Sequence, residues 1–180
     1  CHQRKSRGKT AGFSIKKIIS QVDSVMSQLE TDIYYMQQAL ICADDAEKSG
    51  EVPVGAVVVM DKQLISTAYN QTIAKCDPTA HAEMRVLKQA AKQSNNHRLL
   101  GATLYVTLEP CLMCVGAMIQ ARIKRLVFGA YDNRLGAVVS LFHLLSLKGL
   151  NHSFDFTDGI LADRCAERLQ QFFKQKRHSV

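Results

Sequence analysis

Thr103-Leu104-Tyr105-Val106-Thr107-Leu108-Glu109-Pro110-Cys111-Leu112-Met113-Cys114 runs a strand-like segment straight into a helix-like one, with two thiols three positions apart at the junction. Residues 102–107 have the apolar, β-branched character of a buried strand. Pro110 stands where a helix can begin, because its missing N–H is not needed in a first turn, and residues 111–121 continue that helix. Both thiols then sit at a helix N-terminus, where partial positive charge favours the thiolate that metal binding requires. Thirty positions before Cys111 stands His81-Ala82-Glu83. The two patterns together supply one imidazole, two thiolates and a carboxylate. Zinc held by three protein ligands keeps its fourth position for water, which separates a catalytic site from a closed structural one.

Outward from this junction, residues 32–48 repeat Ile33, Met36, Leu40 and Ala43 at helical spacing, so a helix is expected from near Thr31. Gly50 and Pro53 end it. Residues 54–60 and 64–69, joined by Asp61-Lys62-Gln63, read as a β-hairpin. The polar loop 70–79 contains Asp77-Pro78-Thr79, with Thr79 as the expected cap of a helix over residues 80–92 whose first turn holds His81 and Glu83. Residues 125–130 read as another strand and 141–147 as an apolar stretch. Residues 160–176 read as a last helix, with Leu161, Cys165, Leu169, Phe172 and Phe173 as its buried stripe. The succession helix, hairpin, helix, strand, helix, strand predicts an α/β fold, a three-layer α/β/α sandwich with a mixed central sheet. His81 from one helix start, and Cys111 with Cys114 from another, would converge at the strand ends.

A chain of 180 residues, 47% hydrophobic and 22% charged, has enough apolar material for one ordinary core and argues against a disordered or collagen-like protein. No segment approaches the roughly 18 uninterrupted apolar residues of a membrane span. Residues 11–22 are broken by Lys16 and Lys17 and lack the core of a secretory signal. Six cysteines in a chain of this length do not make a disulfide framework, and two already read as metal thiolates, so a reducing cytoplasm is expected. The formal charge of +7 points to a nucleic-acid partner, but residues 1–25 hold six basic side chains against Asp23, which is +5 of it. The global charge alone is therefore weak support for RNA binding. The expected organisation is a basic N-terminal extension over residues 1–30 and a zinc-dependent catalytic domain over 31–180. Met26 would make a natural start, and residues 1–25 are read as an optional or mistakenly assigned extension; a disordered basic arm adding phosphate contacts is the other reading.

Each motif has a plainer reading. Cys-x-x-Cys also serves redox proteins and closed zinc sites, and a fourth protein ligand would decide for the latter. Cys76 is the candidate, but it lies in the loop before Asp77-Pro78 and is read as a bystander. Glu83 could be an ordinary helix-start carboxylate, yet two positions from a ligand it can approach the activated water without binding metal, as a proton shuttle must. Glu109 is read as an orienting or structural group, since one shuttle suffices. His2, His97, His143, His152 and His178 lack ligand-like spacing to the cluster, while Met113 and Met118 are assigned to helix packing. Lys174, Lys176, Arg177 and His178 make a basic helix end behind Phe172-Phe173.

The two motifs together fit H-x-E…P-C-x-x-C, the signature of zinc deaminases acting on nucleobases. Beyond that signature, several stretches resemble the bacterial tRNA-specific adenosine deaminases, the TadA family. They are Glu51-Val52-Pro53-Val54-Gly55-Ala56, Asp77-Pro78-Thr79-Ala80-His81-Ala82-Glu83, residues 103–111, Val127-Phe128-Gly129-Ala130 and Gly159-Ile160-Leu161-Ala162-Asp163. The resemblance extends from about Thr31 to Arg177. It implies a cytidine-deaminase-like fold, a homodimer with one Zn2+ per subunit, and a tRNA anticodon stem-loop as partner. The reaction it implies is conversion of the wobble adenosine of an arginine tRNA with an ACG anticodon to inosine.

On this sequence the resemblance implies His81, Cys111 and Cys114 as zinc ligands and Glu83 as the catalytic proton shuttle between water, adenine and departing ammonia. It implies that Asn70 hydrogen-bonds an edge of the base and that the Ala82 amide faces the reacting centre. Asp132 and Asn151 would lie beside the RNA, with Phe172, Lys174 and the following basic residues near the anticodon stem. Two departures stand out. Tyr69-Asn70-Gln71-Thr72 replaces a more usual Trp-Asn-Arg-Pro type of segment, and Tyr131 stands where a basic or acidic residue is often found. Two other readings share parts of the pattern: a deaminase of a free base or nucleotide of the guanine or deoxycytidylate type, and a noncatalytic RNA-binding subunit. The first has the same zinc motif; the second would normally lack the shuttle that Glu83 supplies.

Overall fold

The computed structural model describes residues 27–178. The expectations for the basic extension up to Met26, His2 included, fall outside these residues, as does the side chain of His178. Helix α1 spans Gln28–Lys48 and starts three positions before Thr31. Its first turn is closed by a capping box. The Ser27 N–H donates to the Glu30 carboxylate at 2.7 Å, and the Glu30 N–H donates to Ser27 Oγ at 3.2 Å.

In the compact unit from Asp32 onward, β1 (Gly55–Met60) and β2 (Gln63–Tyr69) form the expected hairpin. Asp61 and Lys62 both take positive φ, 49° and 61°, the pairing of a type I′ turn whose twist suits two-residue hairpins. Helix α2 (Ala82–Gln93), β3 (Thr103–Leu108), α3 (Leu112–Ala121), β4 (Arg125–Ala130), a short β5 (Asp155–Thr157) and α4 (Ala162–His178) follow. The sheet runs β2-β1-β3-β4-β5, with β1 antiparallel to both neighbours and β3, β4 and β5 parallel. The mixed sheet and its helices match the expected three-layer α/β/α fold. Strand β5 was not anticipated: it has three residues, and Asp155 and Phe156 are exposed, so it leaves no period in the sequence.

The period-2 alternation of the strands divides the core in two. Ala56, Val58, Leu104, Val106, Leu126 and Phe128 pack with α2 and α3. Val57, Val59, Tyr105 and Val127 pack with α1 and α4. Two glycines let that second pair of helices approach. A Cβ on Gly55 would lie 2.0 Å from the Ala39 carbonyl oxygen of α1, and one on Gly129 would lie 2.4 Å from Cys165 Sγ of α4. Polar groups fasten α1 as well. Buried Asp32 takes both arms of Arg125 at 2.8 and 2.7 Å and the Tyr105 hydroxyl at 3.0 Å, while Arg125 also donates to Thr157 at 2.6 Å. Removing one partner of such a pair strands the other charge in the core.

Helix α4 starts at Ala162, two residues after the expected start, because Gly159 and Leu161 both turn through positive φ, 75° and 55°. Cys165 and Phe172 are buried as expected, but Phe173 is 47% exposed. It lies about 100° around the helix from Phe172 and so leaves the stripe.

Candidate metal centre and active site

The sequence capped α2 with Thr79, but the structure starts that helix at Ala82, with His81 as its N-cap. The Thr79 N–H and hydroxyl both bond to Asp77 Oδ1, at 2.8 and 2.7 Å, so this residue belongs to a local Asx turn. Cys111 is the N-cap of α3. Neither ligand residue makes a side-chain cap bond, so both side chains are available to each other. Cys111 Sγ lies 3.7 Å from His81 Nδ1 and 3.6 Å from Cys114 Sγ, and Cys114 Sγ lies 3.6 Å from His81 Nδ1. Zinc–sulfur and zinc–nitrogen bonds of about 2.3 and 2.0 Å in a tetrahedron separate sulfurs by about 3.8 Å and sulfur from nitrogen by about 3.5 Å. The triangle therefore has the edges of one zinc site, with borderline-soft donors that suit the ion.

The electrostatics agree. Donation from the Cys114 thiol, aided by His81, lowers the Cys111 pKa to about 4. The same contact, with burial, pushes Cys114 up, and Cys111 raises His81. Two adjacent thiolates repel one another, and a divalent cation between them supplies the compensation. Cys76 is exposed and leans on the Ile73 carbonyl at 3.7 Å, outside this group.

Glu83 is in the first turn of α2 and only 4% exposed. Burial pushes its carboxyl pKa up; His81 and a contact with Cys114 act the other way. A carboxyl raised in this manner can hold and release a proton nearer neutrality. The Ala82 N–H donates to Asn70 Oδ1 at 2.9 Å, which ties together two of the residues expected at the base. The reason is local: a helix whose N-cap side chain accepts no bond must satisfy its first amides elsewhere. Asn70, 8% exposed, thereby joins the end of β2 to the start of α2.

Two further buried glutamates hold the surrounding loops, and Glu51 had carried no separate role in the sequence. Glu51 accepts the Thr72 hydroxyl at 3.3 Å and the Ile73 and Ala74 amides at 3.2 and 2.8 Å. Glu109 accepts the amides of Asp132, Val138, Val139 and Ser140 at 3.1, 3.1, 2.7 and 2.9 Å, and the Ser140 hydroxyl. Its expected orienting role has a definite target, the loop 131–140. That loop lies against the metal ligand: Cys111 bridges Gly136, and the Ala137 N–H donates to the Pro110 carbonyl at 2.9 Å.

Among the outer residues expected near RNA, Asp132 is drawn to the centre by Glu109 and accepts the amides of Arg134 and Leu135. The Asn151 carbonyl accepts from Arg122, just past the end of α3 opposite Cys111, across a helix about 15 Å long. Phe172 is buried, with the Lys176 ammonium 5.5 Å from its ring centre, whereas Lys174 is exposed. No helix among the described residues is long and apolar enough to cross a membrane.

Comparison with known proteins agrees with the geometry. Residues 29–130 match the family model for the cytidine and deoxycytidylate deaminase zinc-binding region. The chain is 48% identical over 157 residues to a tRNA-specific adenosine deaminase of Haemophilus influenzae, spanning 87% of this chain and 91% of that protein. It is 42% identical over 146 residues to one of Bacillus subtilis, spanning 81% and 91%. A solved structure from work on A-to-I editing by tRNA:A34 deaminases at the wobble position superposes with TM-score 0.74 at 43% identity, covering 76% of this chain and 99% of that one. A guanine deaminase from Nitrosomonas europaea shares the fold alone, at 19% identity and TM-score 0.61 over 93% of this chain and 98% of that one. By motif, fold and relatives, the chain belongs to the tRNA-specific adenosine deaminases within the cytidine and deoxycytidylate deaminase family.

Proposed function

We propose that this protein hydrolyses the wobble adenosine in the anticodon loop of tRNA to inosine, releasing ammonia, with an arginine tRNA of ACG anticodon as substrate. The observation that carries the reading is the buried carboxyl of Glu83 beside a three-ligand zinc triangle, in a chain 48% identical to a tRNA-specific adenosine deaminase. His81, Cys111 and Cys114 would hold one Zn2+ per subunit. Bound there, zinc would polarise water and lower its pKa toward neutrality.

The chain's own residues do the rest. Glu83 takes a proton from the attacking water, passes it to the adenine ring, and returns a proton to the departing amine at C6. Water adds its oxygen to C6 and the C6–N bond breaks, so adenosine and water give inosine and ammonia. Asn70 presents its side-chain nitrogen to an edge of the base, its oxygen being held by the Ala82 amide. The target must leave its stack, which a single-stranded loop permits at low cost. In this reading Asp132, held beside the centre by Glu109, and the exposed Lys174 contact the RNA, and Asn151 and Phe172 belong with them. The catalytic domain is residues 31–180, acting in the cytoplasm as a homodimer, with residues 1–30 as a basic extension.

The test is adenosine-to-inosine conversion in an ACG-anticodon stem-loop beside free adenosine, cytidine and guanine, with zinc content measured. Inosine at the wobble position alone is the expected result. Turnover of a free base or nucleoside with no RNA product would keep the zinc chemistry and overturn the substrate.

A further inference from the structure

Tyr131 stands one residue beyond the end of β4, tied on several sides. Its hydroxyl donates to Asp158 Oδ2 at 2.6 Å. Its ring meets Phe128 edge-on, with centroids 5.6 Å apart and planes at 89°, and Phe128 shares a buried cluster with Cys114. The next residue, Asp132, gives its amide to Glu109, two positions from Cys111. A strand separation of about 4.8 Å and a rise of about 3.3 Å per residue place the Tyr131 backbone within about 10 Å of that of Cys111. Yet Tyr131 remains 47% exposed. A ring fixed at its hydroxyl and edge, but open to solvent, is a preformed platform at the rim of the metal centre.

Taking one base out of a loop leaves its neighbours without a stacking partner, and a protein aromatic commonly takes that place. We infer that Tyr131, latched by Asp158, stacks against a nucleobase flanking the target adenosine in the RNA loop. This rests on the RNA-deaminase reading above. Every base has a π-face, so Tyr131 strengthens binding of the loop without selecting the neighbour's identity. The plainer role for the same residue is a strut joining β4 to the turn before α4, which would be indifferent to the RNA.

The experiment compares the intact anticodon stem-loop with two others, abasic immediately 5′ or 3′ of the target. The proteins are the full chain with zinc, Tyr131→Leu, which keeps an apolar contact for Phe128 without a π-face, and Tyr131→Phe, which keeps the ring. On the intact loop Tyr131→Leu should raise KM about tenfold with kcat little changed, while Tyr131→Phe, which keeps the ring and loses the hydroxyl latch to Asp158, should raise it by a smaller factor. On one abasic loop the gap between parent and Tyr131→Leu should close. A gap of equal size on all three loops, or none on the intact one, overturns the inference. Should Tyr131→Leu fail to fold, the parent protein alone decides: a KM raised about tenfold on one abasic loop supports stacking, and no rise on either refutes it. Absence of inosine from the parent on the intact loop would overturn the RNA-deaminase reading and this inference together; inosine with an unchanged gap overturns this inference alone.

Discussion

Glu83 and Glu109 are the same residue type at nearly the same depth, 4% and 2% exposed, each two positions from a side chain of the metal triangle. Their surroundings are opposite. Burial pushes Glu109 up, but donors from Ser140, Val139 and Asp132 overcome it and hold the carboxyl below its usual range. Glu83 has no such cage, and burial wins, leaving it above that range. Low exposure alone therefore does not decide what a carboxylate does here; how densely its surroundings pack and how many donors are aimed at it both count. One glutamate is an anion around which a loop folds, and the other, held by fewer donors, is the proposed proton carrier.

The largest effect should come from removing the feature that both carboxylates flank. His81→Ala or Cys111→Ala should lower zinc from one per chain toward none, abolish deamination and lower the melting temperature, since binding and folding are coupled. Metal analysis of the purified variants checks this. Stoichiometric zinc in either variant would point to a different ligand set.

Next comes Glu83→Gln, which keeps the volume and removes the proton carrier. Turnover should fall about a thousandfold, within the range of lost general acid–base catalysis, with zinc content and melting temperature close to the parent. Single-turnover inosine formation beside a thermal melt separates the two readouts. A variant that unfolds or loses zinc would assign Glu83 to structure and erase the contrast with Glu109.

That contrast was only half legible in the sequence. The group His81, Cys111 and Cys114 was readable because metal chemistry needs particular residue types at fixed local spacing. Strand β4 and the hairpin were readable because each is a continuous β-branched run bounded by turn residues. What escaped depends on partners distant in sequence. Arg125 finds Asp32 across 93 positions, and Tyr131 finds Asp158 across 27. The loop 131–140 has no periodic pattern, because Glu109 supplies its order from outside. The start of α1 escaped for another reason: Ser27-x-x-Glu30 is a local capping box, but it precedes the apolar repeat on which the helix was recognised.

The smallest effects compare the two loop-holding glutamates, and they test whether donor number sets the strength of the cage. Glu109→Ala would strand four amides and a hydroxyl, a loss of about 4 kcal/mol of stability once water has partly replaced the carboxylate. Glu51→Ala would strand two amides and a hydroxyl, and about 2 kcal/mol is expected. Urea unfolding measures both. Hydrogen exchange gives the local signature, with Val138, Val139 and Ser140 losing protection in the first variant and Ile73 and Ala74 in the second. Because the Glu109 loop bears on Cys111 through Gly136, its variant should also raise KM for RNA. The Glu51 loop follows Asn70 directly, so its variant should loosen the Asn70–Ala82 hydrogen bond and lower exchange protection at Ala82. Equal destabilisation by the two substitutions would mean that depth outweighs donor count, and the comparison with Glu83 would need another cause.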